Sequence, residues 1–244
     1  MSVIFPPDYR PLLLPETMEL AFNTVHAAGQ RRLEASHLRH VAPPVIVKAT
    51  GAPGEVSFGC NGVGFRLALP EDLSHWKAEK MKAYGIGAGY GLYTYTIRID
   101  TDLAPDNING PVCDRWDCIR SIEPEDSTPT SLAAAAERIY AIVLEIEKAV
   151  CGQFPHIKPS LPSAINIVHG EAALHTVRDN KAVAIIPGSG TSADIYLWND
   201  VTGQELHIAA LSISADALSG WISPAMIAMK VLHLCSVTEI FPMP

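Results

Sequence analysis

Apolar residues recur at the spacing of one helical face along two stretches of the chain. One stretch predicts a helix that begins near Pro15, and the other predicts a helix that begins after Thr128, at Pro129. The second has the clearer stripe, formed by Leu132, Ala136, Ile139, Ile142, Val143, Ile146 and Val150. Two further helices are predicted to begin at Pro70, where proline suits a first turn, and at about Pro224, with an end near Cys235.

Alternation of side chains between two faces predicts a pair of strands in the middle of the chain. In the strand 92–99, Thr94, Thr96 and Arg98 share the polar face. The strand 112–119 places Cys113, Arg115 and Asp117 on one face and Asp114, Trp116 and Cys118 on the other. If the segment between the two strands turns back, Arg98 becomes a sheet neighbour of the second strand.

Shorter segments predict the remaining strands. They lie at 43–47, inside the glycine-rich loop 51–64, and at 164–168, 182–186, 194–199 and 205–213, with a hairpin turn at Thr202-Gly203 between the last two.

Composition bounds the class of protein. A length of 244 residues with 48% hydrophobic residues fits one domain, residues 1–244. The formal net charge of -8 and the lack of a basic run argue against a nucleic-acid partner. No stretch reaches the roughly 20 apolar residues of a membrane span, and the N-terminus has no leader pattern. Five cysteines at irregular spacing indicate a reducing, cytoplasmic setting rather than a disulfide framework.

Several short motifs occur in an order that resembles one known family. They are Trp76-Lys77, the segment 89–94 that leads to Arg98, the segments 114–117 and 167–169, and the later segments 194–199 and 214–218. Together they resemble asparagine synthetase A, the ammonia-dependent aspartate-ammonia ligase, whose catalytic fold is that of the class II aminoacyl-tRNA synthetases. The resemblance implies an α/β (α+β) domain with a mainly antiparallel sheet flanked by helices, and a homodimer.

The resemblance also implies a chemistry that uses ATP. In the family, the side-chain carboxylate of aspartate attacks the α-phosphate, and ammonia then displaces AMP from the acyl adenylate. Arg98 aligns with the arginine that binds this phosphate, where a guanidinium offers two parallel donors to the developing charge. Lys77 aligns with a lysine that binds a carboxylate of the amino acid. The ordinary alternatives are an arginine paired with Asp100 or Asp102 and a solvated helix lysine.

Binding of the substrate is assigned to Lys77 and to the motif at 114–117. Arg115 stands where the family has a glutamine, and Asp114 and Asp117 supply acidic groups. A permanent cation in place of a neutral amide implies a substrate more anionic than aspartate, or one with a differently placed carboxylate. The structural alternative is an ion pair between Arg115 and Asp117 on one face of the strand.

A magnesium site is implied at Asp194 and Glu205. They align with two acidic positions on adjacent strands that bind Mg²⁺ bridging the phosphates of ATP, and oxygen ligands suit this ion. The ordinary alternative is that the carboxylates of Asp194 and Glu205 are surface charges on a hairpin. His207, two residues from Glu205, is a candidate general base, with ordinary packing as its alternative.

Two cations of the family pattern are absent. Ser212 and Met226 stand where the family has nucleotide-binding arginines, and the segment 219–224 is predicted to be a glycine-rich turn. The loss of one buried cation opposite a phosphate costs about 2–5 kcal/mol, so weaker binding of ATP is expected. Three functions therefore stay open. They are a divergent ligase that forms a C–N bond on a small amino or carboxylic acid in specialised metabolism, an ATP-independent enzyme for cyclisation, elimination or hydrolysis, and a non-catalytic amino-acid-binding paralogue.

Overall fold

The described residues form five α-helices, eleven strands and two short 3₁₀ helices, Pro124–Asp126 and Val237–Glu239. The computed structural model describes residues 4–52, 55–70, 73–99, 106–171 and 174–241. The helices are α1 (Pro15–Ala35), α2 (Ser74–Ala83), α3 (Pro129–Gln153), α4 (Leu174–Asn180) and α5 (Pro224–Val231). The strands are β1 (Leu38–His40), β2 (Val47–Lys48), β3 (Ser57–Phe58), β4 (Leu67–Ala68), β5 (Gly91–Ile99), β6 (Val112–Ser121), β7 (Asn166–His169), β8 (Ala182–Ile186), β9 (Ser192–Asn199), β10 (Gln204–Ile213) and β11 (Ala217–Ile222).

Eight of the strands form one large sheet in the order β1-β5-β6-β11-β10-β9-β8-β7. The outer pairs β1/β5 and β7/β8 are parallel, and every pair between them is antiparallel. Strands β2, β4 and β3 form a separate small sheet. The predicted α/β fold, with a mainly antiparallel sheet flanked by helices, is therefore confirmed.

The core lies between the large sheet and helices α1, α3 and α5. The apolar stripe of α3 is buried as predicted, and the helix begins at Pro129 because the side chain of Thr128 accepts a hydrogen bond from the Ser131 amide. Trp116 of β6 is fully buried against α1. The helix can approach this ring because residue 29 is glycine, where a Cβ would lie 2.0 Å from the Trp116 ring. These contacts leave the opposite face of the sheet free for polar side chains.

Strand β11 corrects the prediction of a turn at 219–224. Its residues pair with β10 on one side and with β6 on the other, so the strand lies in the middle of the sheet. Gly220 serves close strand packing rather than a turn, because a Cβ there would lie 2.2 Å from the Ala210 carbonyl oxygen. The alternation of Leu218 and Ile222 with more exposed neighbours is the strand signal that the glycine and proline obscured.

Other predicted boundaries shift by a few residues. Helix α5 ends at Val231 rather than near Cys235, and the strand predicted at 43–47 is reduced to Val47–Lys48. The helix predicted at Pro70 begins at Ser74, with residues 71 and 72 outside the described range. Strands β1 and β4 and helix α4 were not predicted. No helix in the described part of the chain combines the length and hydrophobicity needed to cross a membrane.

Candidate active site

Strand register places most of the predicted site residues on one face of the large sheet. Opposed residues of paired strands point to the same side. On β5 and β6 the pairs are Arg98 with Cys113, Thr96 with Arg115 and Thr94 with Asp117, and Asp117 is in turn opposite Trp221 of β11. Across β11, β10 and β9 the same face carries Trp221, Ala210 and Asp194, and beyond a bulge it carries the pairs Tyr196 with His207 and Trp198 with Glu205.

A pocket of about 330 Å³ opens on this face. Its lining includes Arg115, Tyr196, Glu205, His207, Trp221 and Met226. The pocket therefore has a cationic side on β6, an acidic side on β10 and an aromatic wall between them, which suits a small polar ligand with groups of both charges.

Lys77 reaches the site from helix α2, and its ammonium forms an ion pair with the carboxylate of Asp117. The side chain is 1% exposed, and its Nζ forms a short ion pair with Oδ1 of Asp117. Asp117 is 25% exposed on the site face. A buried cation of this kind is stable only when it is paired, so Lys77 holds the Asp117 carboxylate in place. Its role in binding a substrate carboxylate stays a prediction, since an ammonium has three donors.

Arg98 and Arg115 form the cationic side of the site. Burial lowers the pKa of Arg115, and the charge of Arg98 lowers it further, whereas Cys113 and Asp117 oppose the shift. Among the described residues, no carboxylate oxygen lies within 4.0 Å of either guanidinium. The predicted ion pair between Arg115 and Asp117 is therefore not formed. The alternative partners of Arg98, Asp100 and Asp102, lie outside the described residues.

A continuous row of rings joins the two charged sides. The Arg115 guanidinium carbon lies 4.4 Å from the centroid of the Trp221 ring. The ring centroid of Trp221 is 4.8 Å from that of His207, which stacks on Tyr196 at 4.6 Å. Trp221 is not among the residues predicted from the sequence, because the segment 219–224 is predicted to be a turn and is in fact mostly strand β11. Tyr196 lies two residues from Asp194 on a predicted strand, so the alternation of side chains would have found it.

His207 contacts Asp194 rather than Glu205. Its Nε2 lies 3.0 Å from Oδ1 of Asp194. Burial lowers the pKa of His207, and Asp194 opposes this shift. The Asp194 carboxylate is thus occupied by the imidazole.

The two predicted magnesium ligands share a face but do not converge. Asp194 is opposite Ala210 and Glu205 is opposite Trp198, which puts the two Cα atoms about 13 Å apart at the rise of a strand. Both carboxylates act on Tyr196, whose pKa is raised by burial and then by these two charges. No group of three or more metal-binding side chains occurs among the described residues. Mg²⁺ that arrives with a nucleotide needs only one or two carboxylates, so Glu205, which lines the pocket, is chemically suited to it.

Asp114 is not brought to the site face. Its carboxylate is fully buried on the helix side of the sheet, where Oδ2 lies 3.3 Å from Nε2 of His26. Oδ1 accepts hydrogen bonds from the Ala225 amide at 3.0 Å and from the Ser223 hydroxyl at 3.5 Å. Asp114 nevertheless belongs to the lining of the pocket, so its role in substrate binding stays a prediction. It holds the start of α5, the helix that puts Met226 into the pocket.

Among the described residues that line the pocket, Arg115 is the one cation, and no lysine or arginine stands in for the two missing ones. Met226 lines the pocket, and Ser212 is an exposed serine on β10. Lys230 does not reach the pocket, because its buried ammonium lies 2.9 Å from Oδ2 of Asp200. Within the described residues, Arg98 and Arg115 are the cations left to receive an anion on this part of the face.

Comparison with known proteins relates this geometry to one family. The family model for aspartate-ammonia ligase matches residues 18–183. The chain is 31% identical to the aspartate-ammonia ligase of Bacteroides fragilis over 265 residues, covering 88% of this chain and 77% of that protein. It is 30% identical to the enzyme of Lactobacillus johnsonii over 180 residues, covering 69% of this chain and 53% of that protein.

Solved structures show the same fold. The asparaginyl-tRNA synthetase of Entamoeba histolytica in complex with asparaginyl-adenylate superposes with a TM-score of 0.67 at 10% identity, covering 93% of this chain and 66% of that one. The asparaginyl-tRNA synthetase of Pyrococcus horikoshii with the same adenylate superposes with a TM-score of 0.67 at 8% identity. The match covers 92% of this chain and 67% of that one. The chain therefore spans about two thirds of each synthetase, and at these identities the likeness concerns the fold alone.

Proposed function

Because the chain belongs to the aspartate-ammonia ligase family, we propose that it is an ATP-dependent ligase that forms a C–N bond on a small amino or carboxylic acid. One observation carries this proposal. Arg98, Arg115 and the Lys77–Asp117 pair meet on a single sheet face beside one pocket, in a fold shared with enzymes that bind aminoacyl adenylates.

Each residue of the site has a definite task in such a reaction. ATP with Mg²⁺, when bound, would supply the phosphoanhydride whose cleavage drives amide formation. Arg98 would bind phosphate oxygens, because a guanidinium held on a strand needs little reorganisation as charge develops. Asp117, held by Lys77, would bind the substrate ammonium. Glu205, which lines the pocket, would help to hold Mg²⁺, whereas Asp194 contacts His207.

The alternatives raised by the sequence are less well supported. The hypotheses of an ATP-independent enzyme and of a non-catalytic amino-acid-binding protein both rest on Ser212 and Met226, which stand where the family has arginines. The relatives named above are ligases, and the retained Arg98 and Glu205 agree with them. We also propose that the chain forms one catalytic domain, assembles as a homodimer, has no nucleic-acid partner and acts in the cytoplasm in specialised metabolism.

Formation of AMP tests the proposed function. Purified protein with ATP, Mg²⁺, ammonium and a panel of small amino acids is expected to release AMP only when the acid it activates is present. Arg98→Gln should lower the rate by about 100-fold or more, since a lost charge contact in the transition state is worth about 3 kcal/mol. Arg178→Gln, which changes an exposed arginine of α4, is the matched control and should keep the wild-type rate. AMP release that ignores the acid, or an Arg98→Gln rate equal to that of the control, contradicts the proposal.

A further inference from the structure

An apolar cavity lies on the helix side of the large sheet, behind the candidate active site. It has a volume of about 60 Å³ and is bounded by α1, α3 and strands β1, β6, β10 and β11. Its apolar lining includes Leu33, Ile139, Ile142, Leu211, Leu218 and Ile222. Native cores contain few voids larger than a water molecule, so this one stands out as a place for a small apolar group. An engineered cavity of about 150 Å³ binds benzene, and on that scale this cavity takes about two or three carbon atoms.

The cavity and the candidate active site lie on opposite faces of the same two strands. The register of β6 and β11 pairs Cys118 with Gly220, and both residues line the cavity. The next pair, Asp117 with Trp221, points to the other face, where the candidate active site lies. Gly220 has no side chain, and Ala135 of α3, which faces it across the cavity wall, has only a methyl group. A ligand here would therefore be separate from the substrate of the proposed ligase.

Two guanidiniums stand at the mouth of the cavity. Arg120 of β6 and Arg138 of α3 line both the cavity and an adjoining pocket of about 280 Å³. Burial lowers the pKa of Arg120, and the charge of Arg138 lowers it further, whereas Cys118 opposes the shift. Among the described residues, Asp126 is the one carboxylate in the lining of the adjoining pocket, and no carboxylate oxygen lies within 4.0 Å of either guanidinium. The mouth therefore has an excess of positive charge, which favours an anion.

Arg120 is held in position and keeps donors for a ligand. Its Nη1 donates a hydrogen bond to the Gly89 carbonyl oxygen, and its Nη2 donates one to the Ser36 carbonyl oxygen. A guanidinium has five N–H donors, so about three remain after these two bonds. Arg138 lies on α3 one turn from Ala135 and one turn from Ile142, on the helix face that lines the cavity. An apolar hollow is thus joined to a pair of donors that suits a carboxylate.

We propose that this cavity binds a short-chain monocarboxylate, with its hydrocarbon tail among the leucines and isoleucines and its carboxylate on Arg138 and Arg120. The tail has about three or four carbon atoms, because two or three fill the cavity and one more spans the mouth. Butanoate and pentanoate are the acids of this length. The site does not depend on the proposed ligase reaction.

The dependence of binding on chain length tests the proposal. In NMR titrations of the purified protein without nucleotide, affinity is expected to rise about 4-fold for each methylene from acetate to pentanoate. Octanoate should gain nothing over pentanoate, because its chain is longer than the cavity. Pentan-1-ol has the same tail without the charge and should bind about 10-fold more weakly than pentanoate. Equal affinities for acetate and pentanoate, or no binding of pentanoate up to about 10 mM, would overturn the proposal.

Filling the cavity places the ligand within it. Ala135→Leu is expected to weaken the binding of pentanoate by about 10-fold or more and to change the melting temperature by less than about 2 °C, because the new side chain enters empty space. Ala136→Leu is the matched control, since Ala136 is buried but does not line the cavity. It should keep the affinity and lower the melting temperature by about 3 °C or more. If Ala135→Leu binds pentanoate as tightly as the wild type, the ligand lies elsewhere and the proposal fails.

A charge substitution tests the mouth. Arg138→Gln is expected to weaken the binding of pentanoate by about 10-fold while leaving that of pentan-1-ol unchanged. Arg178→Gln, at an exposed arginine of α4, is the charge control and should change neither. If Arg138→Gln weakens both ligands alike, or neither of them, the carboxylate is not on Arg138 and the proposal is overturned.

Two further results would assign the ligand to another place. Arg115→Gln should leave the binding of pentanoate unchanged, and a loss in this variant would assign the carboxylate to the candidate active site. Binding that appears only at protein concentrations low enough to separate two copies of the chain would assign the mouth to a surface between them. Either result overturns the proposal. Failure of the ligase reaction leaves all of these titrations unchanged, so the proposed function and this inference fail separately.

Discussion

At the scale of single residues, the site depends on charges that are buried and paired. Lys77 has almost no exposure, and the Asp117 carboxylate beside it compensates its buried charge. Removing one member of a buried pair leaves a charge without compensation, whereas removing both leaves neither charge. The ion pair between Lys77 and Asp117 is therefore expected to matter for the stability of the protein as well as for the shape of the site.

Asp117→Asn is expected to destabilise the protein by about 3 kcal/mol, because it leaves the Lys77 ammonium buried beside a neutral amide. The double variant Lys77→Met/Asp117→Leu should recover a large part of this loss, since it removes both charges. Urea denaturation followed by circular dichroism measures both differences. If the double variant is less stable than Asp117→Asn, the two side chains stabilise the protein mainly by packing rather than by the compensation of their charges.

At the scale of elements, the central strand β11 decides the geometry of the site. It separates β6 from β10 and so sets the distance between the cationic and acidic sides of the pocket. Its close packing depends on Gly220, above the Ala210 carbonyl, and its Trp221 supplies the ring beneath Arg115. A strand in this position couples the fold to the site directly.

Gly220→Ala is therefore expected to lower stability by about 2 kcal/mol or more, because a Cβ would overlap the backbone of β10 and force the strands apart. Gly188→Ala, at a position with no heavy atom within 4 Å of the added carbon, is the matched control and should change stability by less than about 0.5 kcal/mol. Thermal unfolding compares the two. Equal melting temperatures would rule out the packing role given to Gly220.

The hairpin between β9 and β10 is tied to α5 by a second charge cluster. Burial would raise the pKa of Asp200, but hydrogen bonds and charges from Lys181 and Lys230 outweigh it and lower the pKa. A folded-state pKa below the unfolded value means that the carboxylate stabilises the protein above the unfolded pKa and that this contribution is lost as the pH falls through the folded value.

Asp200→Asn should accordingly be less stable than the wild type at pH 7, by about 1 kcal/mol once the partial exposure of the carboxylate is allowed for. The difference should shrink below about pH 4, where the unfolded carboxylate becomes protonated. Urea titrations at pH 7 and pH 3 give the two differences. A gap that stays constant with pH would mean that the charge of Asp200 is not its source.

At the scale of the whole molecule, the homodimer remains a prediction, and one edge of the large sheet is the surface on which we expect it to form. Within the described part of the chain, β5 is the one strand that pairs with β1, and beside β1 an open groove of about 780 Å³ is lined by Leu38, Tyr84 and Tyr90. Tyr84 and Tyr90 are 51% and 57% exposed. Sedimentation equilibrium is expected to give a mass twice the 26.3 kDa of one chain. A monomer at every concentration measured would contradict this expectation.

The sequence by itself determined the features that depend on near neighbours in the chain. The start of α3 follows from Thr128 and Pro129, and the strand at 92–99 follows from a period of two. The same period put Arg115 and Asp117 on one face and Asp114 on the other, although the motif had suggested that all three bind substrate. Local geometry sufficed here because side-chain direction in a strand depends on position alone.

Only the tertiary structure decided which groups meet across the sheet. It inserted β11 between β6 and β10, brought Trp221 under Arg115 and paired Lys77 of α2 with Asp117. These contacts join residues distant in the chain, so their formation depends on strand order and helix packing rather than on local spacing. The same long-range packing set the Lys77 ammonium beside the Asp117 carboxylate, because a buried ammonium is stable only next to an anion.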